Sequence, residues 1–210
     1  MKTLGLSILF LATACFGQQW DFGGSAGGSF LPMLPVSSPA GSASAGFQPG
    51  FVAGAFVGQR YNDHISGEVG YTFFDNAMKL SGGSQSTTFS SNAHALYYDF
   101  LWKSRPKSET RAQFFGLVGG GMKIYRGTGT EQAYQPLSQY AYLTHTQKVE
   151  PMASFGGGVI FRLTDHVSMR AEVRDFLTPF PKALITPAPG AKIGSWLNDI
   201  VPMVSVSYEQ

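Results

Sequence analysis

The sequence predicts an all-β fold, and three observations carry that expectation. Residues 167–174 read Val-Ser-Met-Arg-Ala-Glu-Val-Arg, an apolar face alternating with a face that holds two arginines and a glutamate. Residues 65–73 alternate in the same way, with Ile65, Gly67, Val69, Tyr71 and Phe73 on one side and Ser66, Glu68, Gly70 and Thr72 on the other. Successive side chains of a strand leave opposite faces, so a period of two is the strand signature. Third, the 210 residues include 26 Gly and 14% aromatics but only 13% charged residues, about half the charged share of soluble domains. A closed sheet with lipid outside and polar groups inside has this composition.

The N-terminus reads as a signal peptide over residues 1–17. Lys2 supplies the positive region, residues 4–14 the apolar one, and small residues follow. That run is shorter than the roughly 20 apolar residues of a membrane helix. Cleavage is expected after Ala14 or after Gly17. Gly17 is favoured, which leaves residues 18–210 as one barrel domain. Cys15 is the single cysteine, and Ala12-Thr13-Ala14-Cys15 is an imperfect lipobox. Loss with the leader is favoured over lipidation, leaving a mature chain without disulfides or thiolate zinc sites.

Eight strands are expected, at residues 21–31, 50–59, 64–79, 92–103, 111–126, 150–163, 167–176 and 199–208. The connections 32–48, 80–91, 127–148 and 177–198 are long and rich in Gly, Ser, Thr, Gln or Pro. Those at 60–63, 104–110 and 164–166 are short and polar. Transmembrane barrels alternate short periplasmic turns with long external loops, and with both termini in the periplasm this order is the required one. No apolar stretch after the leader is long enough for a membrane helix, so entry into a membrane requires a closed barrel with no unpaired edge.

Alternation assigns the faces. Leu96, Tyr98, Phe100 and Trp102 are expected to meet lipid, while Ala95, Tyr97, Asp99 and Lys103 point inward. Phe155, Val159, Phe161 and Leu163 are expected outside, with Ser154, Gly156, Gly158 and Arg162 inside. Between Phe114 and Tyr125 both faces carry aromatics, and Lys123 alone directs Leu117, Gly119 and Gly121 inward. Tyr71, Phe73, Phe74, Phe100, Trp102, Tyr125, Phe176, Trp196 and Tyr208 lie near strand ends, where interfacial girdles form. A soluble lipocalin-like barrel would reverse the faces. Its exterior would then be a thin row of Ser, Gly and Thr, which disfavours it.

On these features the chain resembles the small bacterial outer-membrane barrels of the OmpA transmembrane type, including OmpX/Ail-like and OmpW-like relatives. The carriers are Gly23-Gly24-Ser25-Ala26-Gly27-Gly28, the alternation at 65–73, and Arg170-Ala171-Glu172-Val173-Arg174 after the turn Thr164-Asp165-His166. The resemblance implies an eight-stranded antiparallel barrel in the bacterial outer membrane, inserted by the barrel-assembly machinery and surrounded by lipid and lipopolysaccharide. It also implies a terminal aromatic, whereas here Tyr208 stands two residues before the end. No peptidoglycan-binding domain is expected after the barrel.

Seven charges are expected inside: Glu68, Asp99 and Glu172 against Lys123, Arg162, Arg170 and Arg174. In a narrow interior they should pair, because an unpaired buried charge is expensive. The favoured reading is a salt-bridged plug, since eight strands leave an interior only wide enough for side chains. A constriction selecting small anions is the alternative suggested by the surplus of arginine.

His64-Ile65-Ser66 and His166-Val167-Ser168 place an imidazole and a hydroxyl on one strand face. Lipid A 3-O-deacylases of the PagL type are eight-stranded barrels that use His, Ser and Glu. Both pairs begin at expected periplasmic turns, away from the outer leaflet, so the catalytic reading is disfavoured. His94 and His145 are expected alone and solvent-exposed, and no histidine spacing suggests a metal. Neither Gly119-Gly120-Gly121 nor Gly156-Gly157-Gly158 is followed by the Lys-Ser/Thr pair or the helix start of a phosphate-binding loop. Tyr134, Tyr140 and Tyr142 and the prolines near 181–189 suit a loop surface that contacts an extracellular ligand. A net charge of +2 without a basic run excludes an electrostatic case for nucleic acid. The expected role is structural or surface-interacting, without enzyme activity, cofactor or metal. The alternatives are a narrow OmpW-like passive channel for small solutes or apolar molecules, or a lipid A-modifying enzyme.

Overall fold

The computed structural model describes residues 19–39, 41–104 and 111–210. The expected leader, both cleavage points and Cys15 lie outside the described residues, as does most of the turn expected at 104–110. The described residues form strands and no helix. In chain order the strands are β1 (Trp20–Ser29), β2 (Leu34–Ser38), β3 (Gly41–Phe47), β4 (Gly50–Arg60), β5 (Ile65–Asp75), β6 (Met78–Gly82), β7 (Gln85–Phe89), β8 (Ser91–Lys103), β9 (Ala112–Gly127), β10 (Ala141–Leu143), β11 (Gln147–Arg162), β12 (Val167–Pro179), β13 (Ile185–Pro187), β14 (Lys192–Ile193) and β15 (Trp196–Glu209).

Eight of them close into a barrel in the ring order β1-β15-β12-β11-β9-β8-β5-β4, with every neighbouring pair antiparallel. These are the eight expected strands, with ends shifted by a few residues. One shift has a local cause. β5 stops at Asp75 because Asn76 turns the chain, its Nδ2 donating to the Gln48 carbonyl at 2.8 Å. Met78 then opens β6 in a different sheet.

The long connections carry structure of their own. They build a five-stranded sheet, β14-β2-β3-β6-β7, and a two-stranded one, β10-β13. Val36, Ala45, Phe47, Met78 and Leu80 of the larger sheet are buried in one apolar cluster with Phe74, Phe176 and Val201 of the barrel. Burial of that face against the barrel rim stabilises strands that are individually too short to persist alone.

The wall follows the alternation. Leu96, Phe100 and Trp102 are exposed while Ala95, Tyr97 and Asp99 are buried; Phe155, Phe161 and Leu163 face out and Ser154 faces in. On β9, Phe114, Val118 and Met122 are exposed, whereas Leu117 and Lys123 are buried. The girdle expectation needs correction at three positions. Phe74, Tyr125 and Phe176 share the inward parity of Glu68, Lys123 and Arg174 and are buried, whereas Tyr71, Phe100, Trp102, Trp196 and Tyr208 are exposed. His94 is also not alone: it lies on the outer wall with its Nδ1 2.7 Å from the Tyr71 hydroxyl and its ring beside Phe73.

Inward glycines make room for the large interior side chains. A Cβ at Gly70 would fall 2.2 Å from the Tyr97 ring, and one at Gly119 would fall 2.2 Å from Asp99 Oδ1. Both sites therefore require a bare backbone where a neighbouring strand's side chain crosses it.

Candidate functional site

The interior is organised by two strands that face each other. β12 and β5 stand four places apart on the ring of eight, opposite across the barrel. Arg170, Glu172 and Arg174 alternate inward along β12, and Glu68 points inward from β5. Arg170 Nη1 donates to Glu68 Oε2 at 2.8 Å, and Arg174 Nη2 donates to Glu68 Oε1 at 2.8 Å. Arg174 Nε also donates to Glu172 Oε1 at 3.0 Å, while the other Glu172 oxygen stands 3.1 Å from Arg170 Nε.

Arg174 Nη1 bonds Asp99 of β8, which accepts a further bond from Ser154 Oγ of β11. The flat guanidinium faces are covered as well. Arg170 Cζ lies 4.3 Å from the Phe56 centroid, and Arg174 Cζ lies 5.0 Å from that of Tyr97. Edge-on carboxylates and face-on rings are the two partners that a delocalised cation accepts. All five charged groups are buried.

Lys123 belongs to a second group. Its Nζ donates to Asp199 Oδ2 at 2.5 Å, and Ser29 Oγ donates to Asp199 Oδ1 at 2.5 Å. The ammonium also sits 3.7 Å from the Phe74 centroid. Asp199 was absent from the expected set. Arg162 faces inward but lines the mouth at the short-turn end, apart from both groups. The two groups together hold Lys123, Arg170 and Arg174 against Glu68, Asp99, Glu172 and Asp199. The expected arginine surplus is therefore reversed in the middle of the barrel.

Toward the long-loop end aromatic rings fill the lumen around the Lys123 ammonium. Phe74 and Phe176 meet edge to face at 5.7 Å, again joining β5 to β12, and Tyr97 packs 5.4 Å from Phe176. Beyond them sit the buried residues of the loop sheets. Toward the short-turn end the lumen widens into a cavity of about 40 Å³, room for a few waters.

The His-x-Ser pairs lie at the short-turn end. His64 Nδ1 is engaged with the Lys103 carbonyl at 3.0 Å, and His166 Nδ1 with that of Glu209 at 3.1 Å. His166 also stacks on Tyr208. His145 is exposed in a long loop, with its Nδ1 2.8 Å from the Gly129 carbonyl. Among the described residues no cluster of three His, Cys, Asp or Glu side chains is placed to hold a metal ion.

The fold is that of small outer-membrane barrels. The chain is similar to Neisserial surface protein A, with 12% identity and a TM-score of 0.55, over 91% of this chain and 98% of that one. It is likewise similar to the outer membrane protein OprG from Pseudomonas aeruginosa, with 12% identity and a TM-score of 0.57, over 90% and 95%. No protein-family model and no curated protein matches the sequence. At this identity the likeness establishes the fold alone.

Proposed function

We propose that the protein is a bacterial outer-membrane β-barrel, closed to solute passage, with a structural or surface-interaction role. The observation that carries this reading is the buried arginine–carboxylate group joining β12 to β5 across the lumen. Opening a water path would strip matched partners from buried charges, at a cost of several kcal/mol per ion. The outer wall supports the location: Trp102 is 72% and Phe114 68% exposed, an apolar surface that suits hydrocarbon better than water.

In this reading the short turns lie in the periplasm. The loop sheets stand outside, where they are the surface offered to an extracellular ligand. Lipid and lipopolysaccharide surround the wall, and the barrel-assembly machinery inserts it. Export of the chain by its leader belongs to the same proposal.

Planar-bilayer recording tests it. The unmodified protein is expected to show no stable open conductance, and Arg170→Ala to produce flickering openings. A steady conductance in the unmodified protein would favour the passive channel and overturn the closed barrel. The lipid A-modifying alternative is opposed by the placement of both His-x-Ser pairs at the periplasmic end. Mass spectrometry of lipid A from expressing cells is expected to show no change.

A further inference from the structure

At the short-turn end, the mouth is a blind cup. Its floor is Arg170 bound to Glu68, and above that floor Arg174 and the aromatic layer close the lumen. Five cationic side chains line it, namely Arg60, Lys103, Arg111, Arg162 and Arg170, against the three carboxylates Asp21, Glu68 and Glu209. Neutral donors stand among them: Ser66, Gln113, Ser168 and Ser207. The cup's formal charge is thus positive, whereas the ion-pair groups deeper in the lumen lean negative. A charged cleft with low-dielectric walls concentrates counter-ions of opposite sign.

We propose that this cup binds a phosphate-class oxyanion, either free orthophosphate or the terminal group of a small phosphomonoester. Arginine and lysine recognise phosphate oxygens through short charge-assisted bonds, and hydroxyl and amide donors complete such a shell. The cavity of about 40 Å³ admits one compact group rather than an extended molecule. The floor gives the anion no onward route. The site depends on the barrel alone; that it faces the periplasm rests on the orientation proposed above.

The test is calorimetric titration of the full barrel, folded in uncharged detergent at low salt. Folding of every variant is verified by its shift in gel mobility on boiling. Inorganic phosphate is expected to bind saturably, one per barrel. Lys103→Gln with Arg162→Gln is expected to weaken it about tenfold, the scale of losing hydrogen bonds to charged groups. Asp21→Asn, which removes an opposing carboxylate, is expected to tighten it about threefold. Lys182→Gln at the opposite end is expected to leave it unchanged. Equal binding of glycerol 3-phosphate identifies a monoester terminus as an acceptable ligand; binding of phosphate alone identifies the free ion. Absence of saturable binding to either probe, or an affinity that the double variant and Asp21→Asn both leave unmoved, would overturn the proposal. Because conductance is not the readout, failure here is separable from failure of the closed-barrel reading.

Discussion

Arg174 on β12 meets Glu68 on β5 at 2.8 Å, although the two strands stand opposite each other on the ring. Ladder hydrogen bonds tie only adjacent strands, so they fix the circumference and leave the cross-section free to flatten. This contact fixes a diameter. Phe74 and Phe176 fix the same diameter one layer further along, with an apolar pair in place of an ionic one. The inward glycines belong to the same arrangement, since Tyr97 and Asp99 of β8 lean over the bare backbone of the adjacent strands at Gly70 and Gly119.

Arg174→Leu removes one cation from Glu68, Asp99 and Glu172 together. Glu68 and Glu172 keep Arg170 as an arginine partner, whereas Asp99 keeps the Ser154 hydroxyl and loses its cation, and the expected loss is about 3–5 kcal/mol. Glu68→Gln keeps one acceptor oxygen but turns an amide N–H toward the other arginine, and is expected to cost about 1–3 kcal/mol. Urea unfolding of the vesicle-folded protein measures both. A midpoint untouched by Arg174→Leu would remove the network from any account of stability.

Lys123 and Asp199 form an ion pair separate from the arginine group, so a double-mutant cycle measures their coupling. Lys123→Met alone is expected to cost about 3 kcal/mol by leaving Asp199 buried without its cation. Adding Asp199→Asn is expected to recover part of that loss, giving a coupling of about 0.5–3 kcal/mol. Strictly additive effects would show that the 2.5 Å contact carries no energy of its own.

The barrel was legible because its inward and outward faces differ in kind along 65–73 and 167–174, and a period of two survives uncertainty over strand ends. Nearness to a strand end puts Phe74, Tyr125 and Phe176 in a girdle, whereas their parity puts them inside. Each shares a face with a charged residue, Glu68, Lys123 or Arg174, and that signal was available. Asp199 was missed for a different reason. It stood first in the strand expected at 199–208, where a carboxylate reads as a loop residue, yet it shares inward parity with Val201, Met203 and Ser205. The loop sheets had no such signal. β2 and β3 are short and rich in Ser, Ala, Gly and Pro, and their stability comes from burial against the barrel rim, which periodicity cannot report.

Gly70→Val drives a branched side chain into the Tyr97 ring, which already lies 2.2 Å from the position of a Cβ. Tyr97 would have to leave its place beside Phe176 and the Arg174 guanidinium. The expected loss is about 1–3 kcal/mol. At Gly24, on the outward parity, the nearest atom to a Cβ is 3.8 Å away, and Gly24→Ala is expected to stay within about 0.5 kcal/mol. Equal unfolding midpoints for the two variants would contradict the crossing of Tyr97 over bare backbone.

Trp102 near the end of β8 and Trp196 at the start of β15 lie at opposite ends of the barrel wall, both exposed. Indole rings settle at headgroup depth because one edge is polar and the body apolar. Single-tryptophan variants, with the other two changed to Phe, place one reporter at each interface. In vesicles of brominated phosphatidylcholine, both are expected to be quenched more by bromines near the headgroup than by bromines near the chain ends. A soluble barrel with its apolar face inward would leave both unquenched at any depth. Quenching of Trp102 but not Trp196 would shrink the lipid band to the short-turn half and place the rim, with Asp175 bonded to Asn198 on the outer wall, in water. Quenching of both fixes the band between two girdles, with that polar pair near its upper edge, where a carboxylate in contact with an amide is tolerated and a lone one at mid-depth is not.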